Sequence, residues 1–393
     1  MLSDWISARM ASSSWIRAMF EEGEKRRKLY GADRVFDFSL GNPDTEPPAG
    51  VISALKDLIN SHEPNLHKYM NNAGYPDVRG KIAAHIHQET DIAITEKHII
   101  MTCGAAGGLN VILKTILNPD DEVILFSPYF PEYLSYIENY GGKTVVSPCS
   151  RDTFEPLPED LEKRITHSTK AILLNSPNNP TGVVYSEKTL REVAEVIHRK
   201  EKEYNINILV ISDEPYTQLV YDGVTVPSVF NTFKNSVIVT SFSKSLALPG
   251  ERIGYIAIHP DAEDSDLLVD GMILSNRILG FVNAPSLFQK VIAECLEEKI
   301  NTELYRERRD FLYNHLIDLG FTCIKPKGAF YLFPKAPIED DIKFVNRALK
   351  YNILLVPGTG FGCPGHIRIS YSVDMSVIRR SIPAFRALAK EFY

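Results

Sequence analysis

The stretch Ser241-Phe-Ser-Lys-Ser-Leu-Ala-Leu-Pro-Gly-Glu-Arg-Ile-Gly254 says more about fold and chemistry than any other part of the chain. It follows an apolar, strand-like run, Ser236-Val-Ile-Val-Thr240. Lys244 therefore stands just beyond the end of a predicted buried strand. A lysine on an open surface is a solvated charge, whereas one at a buried strand end beside an anion site can act as a Schiff-base nucleophile.

Hydroxyl and guanidinium groups surround this lysine. Ser241 and Ser243 supply hydroxyl donors, and Arg252 supplies a planar fork of N–H groups, a combination that suits a bound phosphate. A lysine beside a phosphate site is what pyridoxal phosphate requires. By itself the stretch fits a solvated surface lysine as well as a site for this cofactor with Lys244 as its covalent partner, and two upstream segments favour the cofactor site.

Two upstream runs end in polar residues in the same way. They are Ile208-Leu-Val-Ile-Ser-Asp213, followed by Glu214-Pro-Tyr216, and Ala171-Ile-Leu-Leu-Asn175, followed by Ser176-Pro-Asn-Asn-Pro-Thr-Gly182. In open α/β sheets, ligands bind outside the carboxyl ends of the strands. We therefore expect Asp213, Asn179 and Lys244 to meet in one crevice.

The chemistry of the cofactor accounts for these residue types. Pyridoxal phosphate is a better electron sink when its ring nitrogen stays protonated, and a buried carboxylate such as Asp213 holds that proton by charge pairing. The phenolate oxygen of the ring needs neutral donors, which Asn179 and Tyr216 can supply as an amide N–H and a hydroxyl.

These motifs together resemble the class I/II aminotransferases, which are fold-type I pyridoxal-phosphate enzymes typified by aspartate aminotransferase. The resemblance runs from Phe36 to Tyr371, and its motifs stand in the family's order. They are Asn178-Asn-Pro-Thr-Gly182, Ser212-Asp-Glu-Pro-Tyr216, Ser241-Phe-Ser-Lys244 with Arg252, and Arg368-Ile-Ser370.

The resemblance assigns roles to further residues. It implies that Gly41 offers a backbone N–H near the substrate α-carboxylate, that Gly104 and Ala105 bind the phosphate through backbone amides, and that Phe130 covers the face of the cofactor ring. The small-residue turn at 104–108 also opens a predicted helix, whose free N–H groups favour an anion. Tyr69 matches a tyrosine that reaches the phosphate in a neighbouring subunit, which implies a homodimer with shared active sites.

Arg368 stands within an apolar, strand-like segment. A buried arginine without a partner is costly, so we expect it to meet a carboxylate. That partner is either an internal acid or, as the resemblance implies, the α-carboxylate of an amino-acid substrate.

The sequence leaves the substrate side chain open. Some aspartate-specific relatives have a lysine in the 104–107 turn, where this chain has Ala106, and others use an arginine from the partner subunit. Arg277 lies in the comparable segment but is one residue too far from Asn283, so it is equally well a surface or interface residue. Aspartate, a broad set or aromatic amino acids all remain open as donors, with 2-oxoglutarate as acceptor.

The element pattern predicts an α/β fold with a mainly parallel sheet, covered by helices on both faces, between residues 98 and 260. We expect a large cofactor-binding domain over 46–290 and a smaller α+β domain made of 1–45 and 291–393. The patterns also predict a helix over 12–30, a less regular segment over 273–286 and a strand over 328–333.

Bulk composition narrows the function classes. A formal charge of −7 argues against nucleic-acid or acidic-membrane partners, and no apolar run is long enough to span a membrane. Five scattered cysteines without a C-x-x-C pair indicate a reducing cytoplasm and no zinc framework. The pair His85 and His87 has no third ligand nearby in the sequence, so we expect no metal site.

We therefore expect an aminotransferase that moves an amino group between an amino acid and a 2-oxo acid by a ping-pong mechanism. Two alternatives stay open. A carbon–sulfur β-lyase shares the same lysine and aspartate, and a noncatalytic amino-acid sensor shares the fold. Formation of a keto acid that depends on a second keto acid separates the first alternative, and retention of Lys244 argues against the second.

Overall fold

The computed structural model describes residues 1–11 and 15–392. The strands are β1 (Phe36–Asp37), β2 (Ile99–Thr102), β3 (Glu122–Ser127), β4 (Lys143–Pro148), β5 (Thr169–Asn175), β6 (Leu209–Asp213), β7 (Ser236–Ser241), β8 (Gly254–Ile258), β9 (Tyr331–Leu332), β10 (Ile353–Leu354), β11 (Val356–Pro357) and β12 (Ile367–Ser370). The helices are α1 (Asp4–Ala11), α2 (Trp15–Tyr30), α3 (Ala49–Asn60), α4 (Pro76–Thr90), α5 (Gly104–Ile116), α6 (Glu132–Glu138), α7 (Pro158–Arg164), α8 (Glu187–Tyr204), α9 (Phe242–Ser245), α10 (Ser265–Ile278), α11 (Ser286–Ala293), α12 (Thr302–Asp318), α13 (Asp341–Ala348) and α14 (Met375–Ala389).

A seven-stranded sheet organises the central part of the chain, in the order β2-β8-β7-β6-β5-β3-β4. All pairings are parallel except the two made by β8, which runs against both β2 and β7. Because β5, β6 and β7 are adjacent and parallel, the polar residues that follow them come to one edge of the sheet. The predicted α/β fold with a mainly parallel sheet is confirmed.

Both faces of this sheet are buried. On β7, Val237 and Val239 pack with α5 and α10, whereas Ile238 points to the opposite face, which is covered by α4 and α11. Gly108 lets α5 approach the sheet closely, since a Cβ there would lie 2.5 Å from Val239 Cγ2. This contact fixes the N-terminal end of α5 beside the strand that leads to Lys244.

The N-terminal segment joins the C-terminal third through a second core. Strand β1 pairs in parallel with β10, and β12 lies between β11 and β9 in an antiparallel sheet. Phe38, Tyr305 and Phe385 are fully buried together in this core. The domain boundaries drawn from the sequence stay a prediction.

The structure corrects two local predictions and leaves part of a third untested. Residues 273–277 are helical, as part of α10, because Ser275 and Asn276 are buried and bonded: Thr115 donates to Ser275 at 2.9 Å, and Asn276 donates to the Asn72 carbonyl at 3.2 Å. The strand predicted over 328–333 shortens to β9, since Ala329 takes a positive φ of 53°. The helix predicted from residue 12 is described only from Trp15, and α1 precedes it; residues 12–14 lie outside the described part.

The remaining sequence predictions concern the cysteines, membrane-spanning helices, metal ligands and cellular location. All five cysteines are free thiols. Within residues 1–11 and 15–392, no helix is both long and apolar enough to cross a bilayer, and no three potential metal ligands cluster together. The cytoplasmic location expected from the cysteine pattern stays a prediction.

Candidate active site

A cavity of about 250 Å³ opens at the carboxyl ends of β5, β6 and β7. Most of the residues singled out in the sequence line it: Gly41, Ala105, Phe130, Asn179, Asp213, Tyr216, Ser241, Ser243, Lys244, Arg252 and Arg368. Two others do not. Gly104 lies behind Arg252, and Tyr69 is 91% exposed on the surface. The residues that were expected to meet in one crevice therefore do so.

Lys244 is half-buried in α9, the short helix that follows β7. Its Nζ donates to the carbonyl of Gly41 at 2.6 Å and lies 5.5 Å from the centre of the Phe330 ring. Burial, followed by the nearby charges of Arg368 and Arg252, lowers the pKa of Lys244 to about 8. A sizeable fraction of the amine is therefore neutral, and so nucleophilic, near physiological pH.

Asp213 ends β6 and is 7% exposed. Tyr133 donates to its Oδ2 at 2.5 Å, while Oδ1 is buried and has no hydrogen-bond partner among the described residues. Burial raises the pKa of Asp213 to about 7, and the bond from Tyr133 offsets part of this rise. Such an orphaned buried oxygen is a place for a cationic N–H group.

Arg252 lies against the N-terminal turn of α5. A Cβ on Gly104, whose φ is +70°, would lie 2.8 Å from Arg252 Nη2, so the arginine occupies the space that a side chain there would need. Nη1 of Arg252 donates to the Pro249 carbonyl at 2.8 Å. The guanidinium, the free N–H groups of the helix turn, Ser241 and Ser243 together suit a phosphate.

Arg368, on β12, is 1% exposed. It donates to Asn179 Oδ1 at 3.0 Å and to the Ser39 carbonyl at 2.5 Å, and its Cζ lies 4.7 Å from the centre of the Tyr331 ring. Asn179 is itself fixed, because its N–H donates to Asn175 Oδ1 at 2.8 Å. Neutral groups therefore orient the guanidinium without neutralising it.

Arg368 differs from the other buried arginines in having no carboxylate partner among the described residues. Arg308 pairs with Asp44 at 2.6 Å, and Arg309 pairs with Asp222 at 2.8 Å. No carboxylate of the described residues forms an ion pair with Arg368, and its Nε has no hydrogen-bond partner there. A buried guanidinium that lacks an internal anion is suited to an external carboxylate.

Tyrosines that the sequence did not single out complete the cavity. The hydroxyls of Tyr331 and Tyr216 lie 2.9 Å apart. A Cβ on Gly41 would lie 1.8 Å from the Tyr331 hydroxyl, so this position has no room for a larger side chain. Tyr133 comes three residues after Phe130, and its ring packs edge-on against that of Phe130 at 5.4 Å. The sequence signal that could have identified Tyr133 is its position three residues after Phe130, which was predicted to cover the cofactor ring.

The fold is that of the fold-type I aminotransferases, with a mainly parallel sheet covered by helices. Residues 33–385 match the family described as aminotransferase class I and II. The chain belongs to this family, and it is an aminotransferase of the type that works with pyridoxal phosphate.

Relatives of known structure or curated name agree. The chain is 32% identical over 388 residues to an aspartate aminotransferase of Bacillus subtilis (strain 168), covering 93% of this chain and 94% of the relative. A crystal structure of an aminotransferase from Eubacterium rectale superposes with a TM-score of 0.96 at 38% identity, covering 100% and 99% of the two chains. The aspartate aminotransferase of Thermus thermophilus with maleate gives a TM-score of 0.88 at 28% identity, with 99% of each chain covered.

Proposed function

We propose that this chain binds pyridoxal phosphate through Lys244 and moves an amino group between an L-amino acid and a 2-oxo acid. The observation that carries the proposal is the charge pattern of one cavity. A lysine of lowered pKa, a buried carboxylate with a free oxygen and a buried arginine without an internal anion all face the same space. Each is the group that one part of the cofactor or substrate needs.

The residues present fit the cofactor. The unpartnered Oδ1 of Asp213 suits the protonated ring nitrogen, and Tyr216 and Asn179 suit the phenolate oxygen. Arg252, at Gly104, and the two serines suit the phosphate. When bound, pyridoxal phosphate supplies an electron sink that stabilises negative charge at the substrate Cα.

The chain's own residues orient the substrate and move its proton. Arg368 fixes the α-carboxylate through two parallel hydrogen bonds, which limits the positions that Cα can take. Lys244 Nζ then accepts the proton from Cα. Its pKa of about 8 suits a base that works near neutral pH. Gly41, whose carbonyl accepts from Lys244, keeps this nitrogen on the substrate side of the cavity.

The same lysine and the same arginine serve the amino acid and the 2-oxo acid in turn, which gives a two-stage, ping-pong reaction. A panel of amino donors, with 2-oxoglutarate and with pyruvate as acceptors, followed through the absorbance of the bound cofactor, tests this proposal. We expect parallel lines in double-reciprocal plots. Release of pyruvate and ammonia from cysteine, without transfer to a keto acid, would instead support the β-lyase alternative.

We also propose a homodimer in which Tyr69 reaches the partner's phosphate site. Tyr69 is 91% exposed beside the 281–284 segment, and the neighbouring helix α10 exposes Leu274 and Ile278 by 48% and 57%. Apolar side chains exposed in this way are suited to an interface. A second copy of the chain, packed on this face, would bring each tyrosine to the other subunit.

Mixing two variants tests the shared site. Tyr69→Ala and Lys244→Ala chains, each weak or inactive alone, form hybrid dimers that contain one intact site, so mixing should restore about a quarter of wild-type activity. Lys244→Ala mixed with itself is the control. Absence of restoration in hybrids verified by native mass spectrometry would contradict a shared site.

A further inference from the structure

If the proposed function holds, the charges on the cavity wall restrict which substrate side chains can bind. The described lining residues carry three cations, Lys244, Arg252 and Arg368, and one carboxylate, Asp213. The proposed function uses all four: the lysine and the aspartate for the cofactor ring, Arg252 for its phosphate and Arg368 for the substrate α-carboxylate. None of the described cavity residues is then left to neutralise a second substrate carboxylate.

The rest of the wall offers mostly apolar and aromatic surface. Ile16, Leu109, Phe130 and Tyr136 contribute to it, and Ala106 leaves room at the first turn of α5. Tyr136 adds no charge to this wall, because burial raises its pKa to about 12 and keeps it a neutral phenol. Such a wall favours side chains that gain from leaving water.

We infer that the amino donor has an uncharged, largely apolar side chain, aromatic or branched aliphatic, and that the site disfavours dicarboxylates, so that a monocarboxylic 2-oxo acid is a better acceptor than 2-oxoglutarate. Burying an unpaired carboxylate is costly, so the preference should be roughly tenfold or more. The inference rests on the proposed function for the use of each cation. It also identifies Ala106 as a position at which one added cation would change the preference.

Equilibrium binding to the holoenzyme tests the preference without turnover. The probes are 3-phenylpropanoate and succinate, which share one carboxylate and lack the amino group, measured by calorimetry. We expect 3-phenylpropanoate to bind roughly tenfold more tightly or better. Equal or tighter binding of succinate, or failure of both to bind, would overturn the inference.

Turnover separates this inference from the proposed function. In single half-reactions, phenylalanine or leucine should convert the cofactor with a kcat/KM roughly tenfold or more above that of aspartate. If no amino acid converts the cofactor, the aminotransferase proposal fails, while the binding comparison still decides the preference. A higher kcat/KM for aspartate would overturn the inference and leave the aminotransferase standing.

Two sets of variants locate the cause. Ala106→Lys should improve succinate binding roughly tenfold, whereas Ala106→Met, of similar length and no charge, should not. Arg277 is exposed on α10, the face proposed for the dimer, and is the cation that a partner subunit would contribute. Arg277→Ala should leave the ratio of the two affinities unchanged. A lysine variant without effect, or a ratio that shifts further against succinate in Arg277→Ala, would overturn this account of the wall.

Discussion

The hydroxyl of Tyr133 lies 2.5 Å from Oδ2 of Asp213, and Oδ1 of the same carboxylate has no partner among the described residues. The two residues are 80 positions apart, at the start of α6 and the end of β6. This bond holds the carboxylate by one oxygen and leaves the other for a ligand. It also lowers the pKa of a carboxyl group that burial raises to about 7.

Tyr133→Phe should reduce kcat/KM by roughly 10- to 150-fold, which corresponds to the loss of about 1.5–3 kcal/mol from one hydrogen bond to a charged group. Without this donor the pKa of Asp213 rises further, so the acidic limb of the pH–rate profile should move to higher pH. Tyr140→Phe is the matched control, because its hydroxyl donates to Asn110 at 2.9 Å away from the cavity. An unchanged acidic limb would show that Tyr133 does not act through Asp213.

Asp213→Asn should stabilise the cofactor-free protein while abolishing most of its activity. Because the folded-state pKa of about 7 exceeds the ordinary value of 3.8, the stability due to the neutral carboxyl is present below pH 3.8 and is lost as the pH rises through 7. At pH 8 the neutral amide should therefore add about 1–4 kcal/mol, and the gain should shrink toward pH 4. Thermal unfolding at both values of pH measures this.

Asp222→Asn is the control for this stability effect. The pKa of Asp222 is lowered by its hydrogen bond with Arg309, so loss of its charge should destabilise the protein. If Asp213→Asn also lowered the melting temperature at pH 8, the buried carboxylate would not be a source of strain in the cofactor-free protein.

Much of the site could be predicted because it depends on strand order. Parallel strands that end in Asn175 and Asp213, and a third that leads to Lys244, must bring these residues to one edge once the strands are neighbours. Arg368 could be placed because a mid-strand arginine needs a partner. The sequence also predicted a carboxylate partner for it, and none of the described residues forms an ion pair with it, so the substrate α-carboxylate stays a prediction.

The contacts that the sequence missed depend on tertiary packing. The Tyr331 hydroxyl lies against Gly41 because β9 and the 38–44 segment belong to the same core, which no local pattern reveals. The helix α10 was misassigned because Ser275 and Asn276 look like loop residues until their buried partners are known. Contacts between distant segments decide the local structure at both places.

Uptake of the cofactor by the cofactor-free protein should follow the charge on Lys244. Since only the neutral amine reacts, the rate should rise through about pH 8 and then level off, instead of rising through the ordinary 10.5. Arg368→Gln removes one of the cations that lower this pKa, so it should move the inflection upward. Rapid-mixing absorbance measurements provide the profile, and an inflection above pH 10 in the unmodified protein would contradict the prediction.

Arg368→Lys should lower kcat/KM for every donor together, by an amount equivalent to roughly 2–5 kcal/mol, because it keeps the charge and loses the fork. Aspartate, alanine and phenylalanine measured side by side provide the comparison. Arg309→Lys, a buried arginine that already has a carboxylate partner, should affect stability more than turnover. A loss confined to acidic donors would make Arg368 a side-chain specificity residue.

Borohydride reduction of the holoenzyme, followed by peptide mapping, tests the central claim most directly. Reduction fixes the cofactor to the amine that holds it, and the modified peptide identifies the residue. We predict a single reduced adduct on Lys244, and its loss in Lys244→Ala. An adduct on another lysine, or no adduct in a protein that still turns over, would contradict the account.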